Sequence, residues 1–322
     1  MNAVAEVTDR SVVDPVSRWY AGATVRNAPR IYVPQNIAEE NIFPPSRQLL
    51  ATHPLVKKLG QEAISYVLAQ STYKYMYEIG LLETRFVIDC SLKIINGEIG
   101  TDIPEEDKRE AITIVIDEGY HAYVALDFII QLKANTGIEP LSVPQTNGNL
   151  DAVHRGYETL PRSLHGTFQL LATCLAEHTL TKDLLSIGKE KEATITFTKV
   201  MTDHVSDEGR HANYFARVLK DYWKTVGTDD QKLIGRFLPN YLRDYLAADF
   251  EREFDRDVLS QLDLTVDEID TVLQDTDERY SAGAKSYIDV TIANLVKLLD
   301  RNGILAHPET RAAFVQEGLL AA

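Results

Sequence analysis

The sequence has few cysteines, no long apolar run and a shortage of positive charge. Only Cys90 and Cys174 occur, both inside apolar helical patterns, so they predict two reduced core thiols rather than a disulfide framework. No stretch approaches the roughly 18 to 20 apolar residues of a membrane span, and residues 1–14 lack the apolar segment of a signal peptide. We therefore expect a cytoplasmic protein.

The net charge of the protein indicates which kinds of partner it can bind. Lysine and arginine total 33 against 48 aspartates and glutamates, which gives a formal net charge of −15 over 322 residues. Nucleic acid and anionic membranes both attract cationic surfaces, so neither is an expected partner. Much of the acidity lies between Asp244 and Glu278, where we interpret it as solvated helix faces. The expected partners are small molecules or proteins.

The apolar spacing is helical, and no segment alternates confidently as a strand does. The proline-rich residues 1–46 predict an irregular N-terminal arm, and residues 47–322 predict a single all-α domain. A loop over residues 136–149, with glycine, proline and asparagine, would connect two helix pairs. The predicted helices cover residues 54–68, 72–96, 104–133, 163–187, 191–224, 229–254, 266–299 and 308–320.

One motif occurs twice. The pattern Asp-Glu-Gly-x-His-Ala begins at Asp117 and again at Asp207. Residues three apart lie on one face of a helix, so the glutamate and histidine of each copy can chelate one metal ion together. The two pairs are Glu118 with His121 and Glu208 with His211.

Di-iron helical bundles take one further carboxylate from each of the two remaining helices. Glu83 and Glu177 meet that requirement, because each follows an apolar stretch that should face the interior, where metal coordination would offset the cost of burying a carboxylate. His204 lies four residues before Glu208 and on the same helical stripe. The predicted metal ligands are Glu83, Glu118, His121, Glu177, His204, Glu208 and His211.

This donor set indicates the metal and its surroundings. Carboxylates and imidazoles without thiolate suit two iron ions, in the Fe²⁺ and Fe³⁺ states, although manganese accepts the same ligands. Histidine ligands usually donate their second ring N–H to an outer carboxylate, and we assign that role to Asp117 and Asp207. No further catalytic residue is predicted. The tyrosines Tyr73, Tyr75 and Tyr77 are interpreted as packing. His178, next to Glu177, is interpreted as a core residue or an outer partner of the ligands, and the other histidines as structural: His53, His154, His165 and His307.

The order Glu, Glu-x-x-His, Glu, His-x-x-x-Glu-x-x-His over about residues 70–225 resembles the p-aminobenzoate N-oxygenase family, and His204 is the most diagnostic residue. The resemblance implies a ferritin-like helical bundle in which all seven residues bind two irons. It also implies reduction of both irons by an electron donor, reaction with O₂ as co-substrate and transfer of oxygen to an amine nitrogen. A homodimer is expected from the same resemblance.

The sequence indicates the metal ligands more closely than it indicates the substrate. Family members that accept a free aminobenzoate need a cationic or amide group near its carboxylate, whereas the turn before Glu83 carries Tyr75, Tyr77 and Glu78. Arg85, Lys182 and Arg210 stay open as anchors. The expected substrate is an amine of natural-product biosynthesis, with an amino acid, free or tethered to a carrier protein, slightly favoured over an arylamine. Two alternatives stay open, namely a C–H hydroxylase or desaturase and a ferritin-like iron-binding protein.

Overall fold

The computed structural model describes residues 14–35, 40–100, 103–145, 147–247 and 252–321. These residues form fourteen α-helices and no strand, which confirms the predicted all-α fold. Within the same residues, no helix is both long enough and apolar enough to cross a membrane. The helices are α1 (Pro15–Gly22), α2 (Thr24–Asn27), α3 (Leu49–Thr52), α4 (Pro54–Lys58), α5 (Gln61–Leu82), α6 (Ile88–Ile95), α7 (Glu105–Thr136), α8 (Gly148–Thr159), α9 (His165–Ile187), α10 (Ile195–Trp223), α11 (Thr228–Leu246), α12 (Arg252–Ser260), α13 (Val266–Arg301) and α14 (Pro308–Gln316).

Four long rods form the central bundle. One π-helical turn, Glu83–Val87, joins α5 to α6, so these two helices make the first rod. The other three rods are α7, α9 and α10; α7 packs on α5 and α6, and α9 packs on α10. Outside the bundle, α11 packs against α8 and α14, and α13 contacts α9.

The interior consists of two hydrophobic clusters with a polar layer between them. One cluster includes Met76, Phe128 and Phe197, and the other includes Phe168 and Tyr214. Each of the four rods contributes apolar residues to both clusters and carries its acidic or histidine residues between them. Because burial of apolar surface on both sides stabilises the rods, the costly polar layer is held in place by the packing around it.

Local sequence signals explain where the rods begin and end. The first turn of α7 carries three acidic residues that favour the positive end of the helix dipole, and Gly137 closes the helix with a left-handed φ of 69°. The hydroxyl of Thr194 accepts a hydrogen bond from the backbone N–H of Phe197 and so caps α10. These signals place both Glu-x-x-His motifs in the middle of long helices.

The first rod differs from the prediction. A break at residues 69–71 was expected, but the chain breaks at Gly60, whose φ is 98°, and continues as one helix through that region. Ser71 and Thr72 stay helical because their hydroxyls donate to the carbonyls of Val67 and Leu68, four residues earlier. The rod therefore approaches the polar layer through more than five helical turns.

Two further segments are more helical than expected. Pro15 begins α1, since proline at the first helical position costs no hydrogen bond, so the arm contains two short helices. The segment after Asn147 was assigned partly to a loop, yet the Asn147 side chain accepts from the N–H of Leu150 and begins α8. The predicted helix over 229–254 corresponds to α11 and the first turn of α12, and residues 248–251 between them lie outside the described residues.

Candidate metal centre

The structure brings all seven predicted ligand residues together in the polar layer. Each is buried, with no more than 5% of its surface exposed. Two groups of donor atoms form, and within each group the atoms lie within 4.8 Å of one another. The first group contains Glu83, Glu118, His121 and His204, and the second contains Glu118, Glu177, Glu208 and His211.

Glu118 belongs to both groups and lies between them. Its Oε2 lies 3.2 Å from Nδ1 of His121, and its Oε1 lies 3.0 Å from Nδ1 of His211. Glu208 is also central, since its Oε1 lies 3.5 Å from His121 Nδ1 and 3.4 Å from His211 Nδ1. The two carboxylates of the repeated motif can therefore bridge two cations, while Glu83 and Glu177 lie at the outer ends.

His204 joins the first group. Its Nε2 lies 3.0 Å from Oε1 of Glu83 and 3.0 Å from Oε1 of Glu208, and its ring centroid lies 4.0 Å from that of His121. The first group thus has two imidazoles and the second has one. The asymmetry follows from the helical stripe of α10, which places residues 204, 208 and 211 on one face.

The seven residues fit a pair of divalent cations. Among the described residues, both carboxylate oxygens of Glu83, Glu177 and Glu208 lack a hydrogen-bond partner, as do Nε2 of His204 and Nδ1 of His211. Burial and the charges of Glu208 and Glu118 raise the pKa of Glu177 well above its usual value. Four buried carboxylates carry the charge that two divalent cations would neutralise, and such cations would satisfy the unpaired donor atoms.

Two buried aspartates hold the outer nitrogens of the imidazoles, and they do so across the bundle. Nε2 of His121 on α7 lies 3.1 Å from Oδ2 of Asp207 on α10. Conversely, Nε2 of His211 on α10 lies 3.2 Å from Oδ2 of Asp117 on α7. Because each aspartate accepts the outer N–H, the Nδ1 atoms are directed at the site.

Arg210 connects the two aspartates. Its guanidinium donates to Oδ2 of Asp117 at 3.1 Å and to Asp207. Burial opposes ionisation of Asp207, but hydrogen bonds from His121 and Thr24 outweigh it and, with the charges of His121 and Arg210, lower its pKa to about 2. Arg210 is therefore engaged in this network, and its role as an anchor for a substrate stays a prediction.

A cavity of about 350 Å³ reaches Glu177, and we call it the main cavity. Its apolar lining includes Leu82, Phe86 and Leu180. Tyr75 also lines it and donates to Oδ2 of Asp183 at 3.1 Å, so this tyrosine does more than fill the core. The charged residues among the described lining are Lys74, Glu78, Glu177 and Asp183, and none of the described lining residues is an arginine.

The other candidates lie elsewhere. Arg85 is exposed and donates to the backbone carbonyl of Gln145, and Lys182 is partly exposed outside the described lining of the main cavity. His53 and His307 cap helices through their Nδ1 atoms. Cys90 and Cys174 are buried free thiols in one hydrophobic cluster, and burial raises the pKa of both to about 12.

Trp19 and Thr24 contact the two aspartates, and no pattern in the sequence indicates either residue. The indole N–H of Trp19 donates to Oδ1 of Asp117 at 2.8 Å, and Thr24 donates to Asp207 through its hydroxyl and its backbone N–H. These contacts join residues 98 and 183 positions apart, so no local spacing indicates them.

A comparison with protein families gives an independent result. The family model described as p-aminobenzoate N-oxygenase AurF matches residues 28–303, which include the whole bundle and the helices from α3 to α13. No curated protein matches the chain.

Proposed function

Because the chain belongs to the p-aminobenzoate N-oxygenase AurF family of ferritin-like di-iron N-oxygenases, we propose that its seven buried ligand residues hold two iron ions that oxidise an amine nitrogen. The observation that carries this proposal is the pair of donor groups that share Glu118 inside a bundle of four rods. The same ligands accept manganese, so the natural metal is part of the proposal.

The residues have distinct proposed roles. Glu118 and Glu208 would hold both ions from the centre of the site, Glu83 and Glu177 would each hold one ion at an outer end, and the three imidazoles would complete the two groups. Two iron ions, when bound and reduced, supply the site at which O₂ is activated. Asp117 and Asp207 accept the outer N–H of His211 and His121, so the inner nitrogens are the ones directed at the site.

The main cavity is the proposed substrate site. Its volume lies within the range of small-molecule sites, and its lining next to Glu177 is mostly apolar. The charges in its described lining are mostly acidic, which favours the cationic ammonium group of an amino acid or aminoacyl group over a neutral arylamine. We propose an amine of natural-product biosynthesis, with an amino acid or a carrier-tethered aminoacyl group slightly favoured over an arylamine.

The test combines metal analysis with product analysis. We expect two irons per chain, and N-oxidised product when the reduced protein receives O₂ and a suitable amine, measured by mass spectrometry. The substrates to compare are amino acids, aminoacyl groups on a carrier and arylamines. Products oxidised at carbon would indicate a hydroxylase or desaturase, and many irons per chain without any product would indicate iron storage. Either result contradicts the proposal.

A further inference from the structure

The arm contacts the metal centre through the two outer aspartates. Trp19 in α1 donates its indole N–H to Asp117, and Thr24 at the start of α2 donates its hydroxyl and its backbone N–H to Asp207. Trp19 is 8% exposed and Thr24 is 6% exposed, so both hydrogen bonds are shielded from water. Both donors precede residue 28, where the family match begins.

Each donor begins a series of three hydrogen-bonded residues that ends at the ligand cluster. The first series runs from Trp19 through Asp117 to His211, and the second runs from Thr24 through Asp207 to His121. An aspartate with four acceptor positions can rotate unless other donors fix it, and its rotation would turn the imidazole. The arm contributes one such donor group to each aspartate.

We propose that Trp19 and Thr24 are positioning residues that orient His211 and His121 for metal binding, so that docking of the arm and metal binding are coupled. The proposal rests on the proposed metal site. It gives the arm a role beyond covering the bundle. Loss of the hydrogen bonds from Trp19 or from Thr24 would weaken metal binding by the histidine that the same aspartate orients. Trp19 acts through Asp117, and Thr24 acts through Asp207.

Trp19 also has packing contacts that a purely structural role would use. The guanidinium carbon of Arg26 lies 5.4 Å from the ring centroid of Trp19, and the ring of Tyr20 packs edge-on against Trp19 at 5.1 Å. A suitable substitution must therefore remove the hydrogen-bond donor and keep an aromatic ring. Trp19→Phe does this, and Trp223→Phe makes the same change at the other tryptophan, which is buried in a hydrophobic cluster.

The experiment titrates the metal-free protein with Co²⁺ or Mn²⁺ against a competing chelator and records its thermal unfolding. We expect Trp19→Phe and Thr24→Val to weaken the binding of one ion about 10- to 100-fold, the range observed when outer hydrogen-bond partners of metal ligands are removed. Trp223→Phe should leave both affinities unchanged. Thr24→Ser, which keeps the hydroxyl, should restore binding to the wild-type level.

Double variants separate positioning from a general loss of stability. In an Asp117→Ala background, which removes the acceptor of the Trp19 N–H, Trp19→Phe should have no further effect on affinity, whereas Thr24→Val should still weaken binding. In an Asp207→Ala background the two effects should be reversed. A structural role predicts equal additional losses in both backgrounds, together with a lower melting temperature of the metal-free protein.

The outcomes distinguish this inference from the proposed function. If the wild type binds two ions and the arm variants bind them equally well, the positioning role is wrong and the metal site stands. The same conclusion follows if Trp223→Phe weakens binding as much as Trp19→Phe. If the wild type binds no ion, the proposed function fails, and the positioning role fails with it.

Discussion

The arm and the main cavity surround the ligand cluster with different kinds of side chain. Around His121 and His211, the arm and Arg210 place hydrogen-bond donors on two buried aspartates. Next to Glu177, the cavity places apolar side chains and open space. The first region fixes the orientation of imidazoles, and the second leaves room for a molecule. Variants in the arm region should therefore alter metal affinity, and variants in the cavity should alter the use of substrate.

The largest effect is expected where the two donor groups meet. Glu118→Ala removes the carboxylate that both groups share, so we expect fewer than two metal ions per chain. Activity should fall by more than the roughly 100-fold upper range for outer hydrogen-bond partners. Elemental analysis and product formation measure the two effects. Glu106→Ala, at the exposed start of α7, is the control. Full metal content in Glu118→Ala would contradict the bridging role.

The next effect concerns the hydrogen bonds around the imidazoles. Asp207→Asn removes the charged acceptor of the His121 N–H, so metal affinity should fall about 10- to 100-fold. The KM for the amine should stay near the wild-type value once metal is saturating, because Asp207 is absent from the described lining of the cavity. Chelator competition and steady-state kinetics check these results. Asp221→Asn, which alters an exposed acid on the same helix, should change neither. A raised KM for the amine with normal metal affinity would contradict this prediction, because it would mean that Asp207 affects the use of substrate and not metal binding.

Variants of the main cavity should raise the KM for the amine and leave metal binding unchanged. Ala176→Leu places three additional carbon atoms beside Glu177 in the main cavity, so the KM should rise about tenfold by loss of space. Metal content should stay at two ions per chain. Ala312→Leu, on the exposed surface of α14, is a matched control. An unchanged KM in Ala176→Leu would mean that the amine reaches the metal centre by another route.

The smallest effect tests the charge of the substrate. Asp183→Asn neutralises a carboxylate of the cavity lining, so the KM of a cationic amine should rise about fivefold, which corresponds to ~1 kcal/mol. A neutral arylamine should be unaffected. Glu190→Gln is the control, because Glu190 contacts Arg47 as Asp183 does but is absent from the described cavity lining. Equal changes for both classes of amine would indicate that Asp183 only holds Arg47.

The sequence predicts the cluster of seven acidic and histidine residues better than the residues around it. The spacing of Glu118 with His121, and of His204 with Glu208 and His211, is a property of a single helix, so the 3.6-residue repeat suffices to place these groups on one face. The all-α fold follows from the same periodicity. Trp19 and Thr24 could not be found in this way, since their contacts depend on how the arm crosses the bundle. The course of the first rod was missed because Ser71 and Thr72 satisfy their hydroxyls within the helix.

The π-helical turn at Glu83–Val87 adds one residue to the first rod without interrupting the helix. A π turn has the form of a one-residue insertion in an α-helix, and such turns are frequent at functional sites. Deleting one residue there, such as the exposed Thr84, would remove the extra residue and leave a regular α-helix, so α6 would keep the same face toward the core. Cys90 and Ile94 of α6 would then stay in their hydrophobic cluster. The change would be confined to the turn that carries Glu83, so the extra residue serves the position of that carboxylate and not the packing of the rod.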